Sequence, residues 1–231
     1  MKNFSSIYYF LLAVLVSSVV IAQPAVQEPT ASEYIAGRTV NLMDNPNDYT
    51  GSPYFNEDFS EGSILKKGKV IALNQDLRYN VSREEFELRD ALNKESKIVK
   101  TILRKTDIEI KIGDVIFEYI SSQKNNLRGY FIPLFKGDNK SLYKKITKEY
   151  FPAQKAANSM SQDIDAMYRE RETLYLVDGE GMFTELPSSK RGKEKAFGGL
   201  KKVVKTYVKD NKLNLNKEQD FIKLVSHIDS L

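Results

Sequence analysis

Between Asp114 and Ile146 apolar and polar residues alternate in three runs, DVIFEYI, LRGYFIPLF and SLYKKI. In the first run Val115, Phe117 and Tyr119 share one face, and Ile116, Glu118 and Ile120 share the other. A period of two in a stretch rich in β-branched and aromatic residues predicts strands, because successive strand side chains point to opposite faces. The polar SSQKNN and KGDNK segments between the runs predict loops, so the three runs form an antiparallel meander. Pro133 lacks a backbone N–H, which predicts an edge or a bulge in the middle strand.

The same period appears upstream. VIAL (Val70 to Leu73), a turn at Asn74-Gln75-Asp76, LRYNV (Leu77 to Val81), a reversal at Ser82-Arg83-Glu84 and EFEL (Glu85 to Leu88) predict three short strands. KIVKTIL and DIEIKI follow, the latter with Ile108, Ile110 and Ile112 alternating with charged residues, as in a sheet with one wet face. Asn45 to Ser63 is dominated by turn residues. From Phe151 to Arg171 the alternation stops, which predicts a long irregular loop. TLYLV, a DGEG turn and MFTEL then predict one more hairpin.

The period changes near the end of the chain. Phe197, Leu200, Val204, Tyr207 and Val208 recur at helical spacing, and Phe221, Leu224, Val225 and Ile228 do so again. Gly198-Gly199 delays or kinks the first helix, and Asn216 is the expected N-cap of the second. Isolated helices this short are marginal in water, so they are expected to pack on each other and on the sheet. The pattern therefore predicts an α+β fold. An antiparallel meander over residues 51–188 curves into a sandwich or open barrel, and a C-terminal helical hairpin over residues 189–231 packs on it in the same domain. Residues 23–50 read as a polar arm or linker, ordered where Tyr34-Ile35 or Val40-Asn41-Leu42 can dock.

Residues 1–22 have the layout of a signal peptide: Lys2 in a short positive start, an apolar run from Ile7 to Ile21, and Val20 and Ala22 at the −3 and −1 positions. Cleavage after Ala22 leaves a chain with no further stretch apolar enough to span a bilayer, exported to the periplasm or beyond. The chain has no cysteine and one histidine, so neither disulfides nor thiolate metal sites are expected, and no cofactor is implied.

The signatures GSPYFNEDF, DLRYNVSREEFEL, GYFIPLF and YVKDNKLNLNKEQDFIKLV together resemble a widespread family of exported proteins of Bacteroidota-type bacteria. The resemblance spans Gly51 to Leu231. It implies export and one shared fold, and brings no activity or site residues with it.

Reactive chemistry is thin. His227 stands alone on the last helix, and no G-x-S-x-G elbow occurs. The carboxylate pairs Glu57/Asp58, Glu84/Glu85 and Asp178/Glu180 sit in turns or on opposite strand faces. Asp163/Asp165, in the expected loop, is the best of them for a hydrolase base or a weak calcium site. Tyr79, Phe86, Phe117, Tyr119 and Phe131 are candidates for lining a sugar or lipid site. Lys201, Lys202, Lys205 and Lys209 belong to a basic run from Lys190 to Lys212, a candidate face for anions or an anionic membrane surface. The net charge of +4 is mild and no recognition motif accompanies it, so nucleic acid is not an expected partner. The expected function is a non-catalytic envelope or periplasmic module binding a protein or glycan. The alternative is a periplasmic carrier of lipid or another apolar ligand, held under a curved sheet.

Overall fold

A computed structural model describes residues 30–42, 49–90, 92–156, 158 and 162–231; the expected signal peptide lies outside them. Twelve strands follow in chain order: β1 (Ile35–Asn41), β2 (Tyr49–Thr50), β3 (Ser60–Lys66), β4 (Lys69–Asn80), β5 (Glu85–Arg89), β6 (Ile98–Ile102), β7 (Ile108–Ile112), β8 (Val115–Ser122), β9 (Leu127–Lys136), β10 (Lys140–Phe151), β11 (Ala166–Asp178) and β12 (Phe183–Glu185). Three helices close the chain: α1 (Lys190–Lys195), α2 (Lys201–Asp210) and α3 (Glu218–Asp229). The strands make one sheet in the order β1-β6-β5-β4-β3-β7-β8-β9-β10-β11-β12, with β2 added in parallel to β11. The α+β class is as expected, and the sheet curls into an unclosed half-barrel.

The curl follows from which rings meet. Tyr79 of β4 and Phe86 of β5 stack at 4.3 Å, and Tyr79 lies 5.1 Å from Phe117 of β8. Two strands separate β4 from β8 in the sheet order, so the sheet must bend for these rings to touch. Ile64, Leu77, Ile110 and Tyr130 complete this core. A second core lies on β10 and β11, where Leu142 and Leu176 meet Val204, Val208, Phe221, Leu224, Val225 and Ile228 of the helices. Leu134 packs against both cores. It is the extra residue of a bulge, because Leu142 pairs with Phe135 and Tyr143 with Pro133. Proline, unable to donate to the ladder, thus marks the place where the sheet changes the core it serves.

Four expectations need correction. The Asn74-Gln75-Asp76 turn is instead part of one long strand. Gly62 pairs with Gln75 and Ile64 with Ala72, so Asn74, at φ 52°, is a bulge residue within β4. The turn-rich stretch ending at Ser63 gives way to β3, joined to β4 by Lys67-Gly68 at φ 49° and 77°, the left-handed pair that a tight hairpin requires. The expected loop from Phe151 to Arg171 is largely ladder. β10 and β11 pair without interruption from Lys140↔Asp178 to Phe151↔Met167, and Gln154 and Ile164 bridge beyond. This end of the hairpin projects past both cores, so its strands carry charge where burial would demand apolar residues.

The expected helical hairpin is α2 and α3, preceded by the short α1. Ser189 caps α1 by accepting from the Gly192 N–H, and Gly198, at φ 56°, turns the chain into α2. Asn216 is not the cap of α3; that helix starts at Glu218 with no side-chain cap, and Asp220 Oδ2 accepts from the Asn214 N–H at 2.9 Å. The expected docking of the N-terminal arm is seen in β1, which pairs with β6 and buries Tyr34 and Val40 beside it.

Candidate functional site

The aromatic residues singled out from sequence are packed side chains. Tyr79, Phe86 and Phe117 fill the half-barrel and touch one another, and Tyr79 and Phe86 also touch Tyr130, at ring distances of 4.8–5.5 Å apart from the closer Tyr79–Phe86 stack. Tyr119 meets Tyr130 at 5.1 Å, and its hydroxyl accepts from Arg128 Nε at 2.6 Å. Phe131 points to the other face of the sheet, where Tyr175 and Phe183 cover it and the Lys145 ammonium lies 5.2 Å away. Of the five, Tyr119 borders an open surface depression of about 390 Å³, shared with Lys136 and Tyr143. A second depression of about 530 Å³ is polar, with Gln75, Asp76, Arg89, Asn93 and Lys100 on its walls. A third, of about 560 Å³, lies between β11, Pro187 and the start of α3.

The carboxylates are occupied with structure. Asp163 accepts from the Ala156 N–H at 2.8 Å and from Lys155 Nζ at 3.0 Å, which hold its carboxyl below the usual range. Asp178 accepts from the N–H groups of Met182 and Glu180 in its turn and is lowered likewise, Met182 contributing most. Among the described residues no group of acids and histidine could hold a metal. The most buried acid, Glu87, lies between two guanidinium groups. Arg78 donates through Nε (3.0 Å) and Nη2 (2.8 Å), and Arg83 through Nη2 (2.7 Å). Arg78 is itself sandwiched between the rings of Tyr54 (3.8 Å) and Phe59 (4.6 Å), a saturated structural network on the outer wall.

The exposed aromatic surface lies elsewhere. Even-numbered residues of β10 and their β11 partners share one face: Leu142 with Leu176, Lys144 with Leu174, Ile146 with Glu172, Lys148 with Glu170, and Tyr150 with Tyr168. The helices cover the first of these pairs, and the last lies at the projecting end. There Tyr49 of β2 joins Tyr150 and Tyr168 at ring distances of 6.5 and 5.1 Å, and Tyr150 lies 5.2 Å from Tyr168. Gly51 lets the chain pass so close that an added Cβ would lie 2.7 Å from the Tyr168 carbonyl oxygen. Tyr150 remains 48% exposed, as does Ile164 at 52% nearby in the hairpin. Burial first, then the neighbouring Tyr168, raises the Tyr49 phenol above its ordinary value. Lys148 anchors the margin, donating to the Tyr54 carbonyl at 2.6 Å and pairing with Glu170 at 3.2 Å.

Sequence reasoning missed this tyrosine platform. Its three members are far apart along the chain, and only the β10–β11 register and the parallel β2 bridge bring them together. In the basic run, Lys202, Lys205 and Lys209 are exposed on α2 and Lys201 is half-exposed. Lys193 turns inward instead, donating to the Leu215 carbonyl at 2.7 Å, and burial pushes its amine below the ordinary value.

Fold and surface together define an α+β half-barrel with a packed interior, an exposed tyrosine platform and a basic helical face. Comparison with family models, curated proteins and solved structures finds no match.

Proposed function

We propose that the protein is an exported, non-catalytic module of the bacterial cell envelope that binds a glycan or protein partner, with the tyrosine platform as its contact surface. The observation that carries this reading is the placement of Tyr49, Tyr150 and Tyr168. Three mutually braced rings project beyond both cores, present a half-exposed aromatic surface and cost little entropy to hold. Rigid aromatic surface flanked by polar groups suits the apolar faces of sugar rings, so a glycan is the favoured partner. The carrier reading has less support, because the rings of Tyr79, Phe86, Phe117 and Tyr130 occupy the space that a lipid would need.

Calorimetric titration with a panel of neutral and acidic oligosaccharides tests the proposal. A saturable hit whose affinity drops about tenfold in Tyr150→Ala is expected, the loss of one well-placed aromatic contact. Turnover of any of those sugars by the purified protein would overturn the non-catalytic reading, and affinities indifferent to Tyr150→Ala would remove the platform.

A further inference from the structure

Charge in this chain is segregated. Lys190 to Lys212 holds nine cations and two anions, so this segment carries +7 of a molecule whose net charge is +4, and all other residues together carry −3. One of the two anions, Glu194, is buried, which leaves Asp210 as the segment's exposed carboxylate. On the sheet, cations are cross-paired: Lys144 with Glu218, Lys145 with Glu84, Lys148 with Glu170, Arg78 with Glu87. Among the described residues none of the exposed cations of α1 and α2 has such a partner.

Their placement is regular. Lys202, Lys205 and Lys209 follow at intervals of three and four, so they line one face of α2 over about 10 Å. The opposite face, Val204 and Val208, is buried against α3. Lys190, Arg191 and Lys195 of α1 extend the exposed charge. Val203, 40% exposed, and the exposed Gly198 and Gly199 keep the neighbouring surface free of bulky anionic groups.

We propose that this face of α1 and α2 docks on an anionic lipid surface through phosphate headgroups. Charge complementarity selects the occupant: a cluster of four to eight cations on a helix is the size at which attraction to such a surface becomes appreciable. Shape separates a surface from a polymer. Lys202, Lys205 and Lys209 stand exposed on the convex side of one helix and line none of the depressions described above, so they present a face rather than a groove that could wrap a chain. The apolar side of α2 is already used inside the protein, so the contact is electrostatic, does not insert, and is reversed by salt. The orientation goes beyond the binding role proposed above and does not depend on it, because the tyrosine platform and the lysine face lie on different elements.

Vesicle co-sedimentation of the full chain tests this, with phosphatidylglycerol and phosphatidylcholine in equal parts against phosphatidylcholine alone. The expected result is partitioning that favours the anionic vesicles and disappears at high ionic strength. The triple variant Lys202→Glu/Lys205→Glu/Lys209→Glu changes six units of charge and should lose that preference, at about fivefold for each unit. The corresponding Lys→Gln triple variant, with an unchanged melting temperature, should lose it in part. The N-terminal segment is the same in parent and variants, so any affinity it has, Lys2 included, cancels in the comparison between them. Equal partitioning to both vesicles, or a preference unmoved in both variants, overturns the proposal. So does binding to polygalacturonate under conditions where the anionic vesicles are not bound.

Discussion

A carboxylate deprived of water survives only when its charge is answered, and Glu87 is the clearest case in this molecule. Its side chain is 0% exposed and takes three guanidinium hydrogen bonds, while Arg78 is held flat between two aromatic rings. Such a pair contributes little compared with a well-packed apolar replacement, but removing one partner leaves the other charge stranded. Glu87→Ala is therefore expected to cost about 3–5 kcal/mol in urea titrations. Glu87→Gln, which keeps the shape and one acceptor, should cost less. Glu180→Ala, exposed at a hairpin tip, should stay within about 0.5 kcal/mol of the parent. An equal effect of all three would mean that Glu87 is hydrated in the fold.

Elements were legible where their environment is uniform along their length. β7, β8 and the apolar faces of α2 and α3 each bury one side throughout, so their periods survive in the sequence. The failures share a physical cause. β4 runs through a bulge at Asn74, which resets the alternation in the middle of a strand, and the projecting ends of β10 and β11 have no core to impose a period. The tyrosine platform was illegible for the same reason, since its members belong to that uncovered end. How the helices attach to the sheet was equally hidden. Asp229 at the end of α3 accepts from the N–H groups of Asn139 (2.7 Å) and Lys140 (2.6 Å) in the β9–β10 turn, and only a glycine at position 137 leaves room for its carboxylate. The Lys140 and Asn139 N–H groups hold the Asp229 carboxyl below its ordinary value. A lowered acid contributes stability that is present above its unfolded value and is lost as pH falls through the folded one. Asp229→Asn should therefore lower the urea midpoint at pH 6, and the gap between variant and parent should close as the pH falls below about 4. A gap independent of pH would mean that the tether does not depend on the charge.

At the scale of the whole molecule, two cores are joined through Leu134, and the filled half-barrel holds ionisable groups that water does not reach. Burial pushes the Tyr79 and Tyr130 phenols far above their ordinary value, with the Glu84 and Tyr130 charges adding at Tyr79. The Tyr130 hydroxyl is enclosed and makes no hydrogen bond to a described residue. A group whose folded value is raised stabilises fully below its unfolded value, near 10 for tyrosine, and that stability drains away as the pH climbs above it. Each such tyrosine adds a slope of about 1.4 kcal/mol per pH unit, so these two contribute a loss of about 2.7 kcal/mol per unit, to which Tyr143, raised by burial and then by Glu118, adds. The inward Lys193 amine, lowered by burial, acts in the opposite sense only below its unfolded value near 10.4, so above that it no longer opposes the tyrosines. Tyr130→Phe separates this from general alkaline damage. Without a hydrogen bond to lose, the variant should match the parent at pH 7, yet its alkaline slope should be shallower by about 1.4 kcal/mol per pH unit. Urea midpoints between pH 9 and 12, followed together with phenolate absorbance, read both quantities. A parent that ionises all its tyrosines before it unfolds would show that water enters the barrel, and a cavity reading for its interior would then regain its ground.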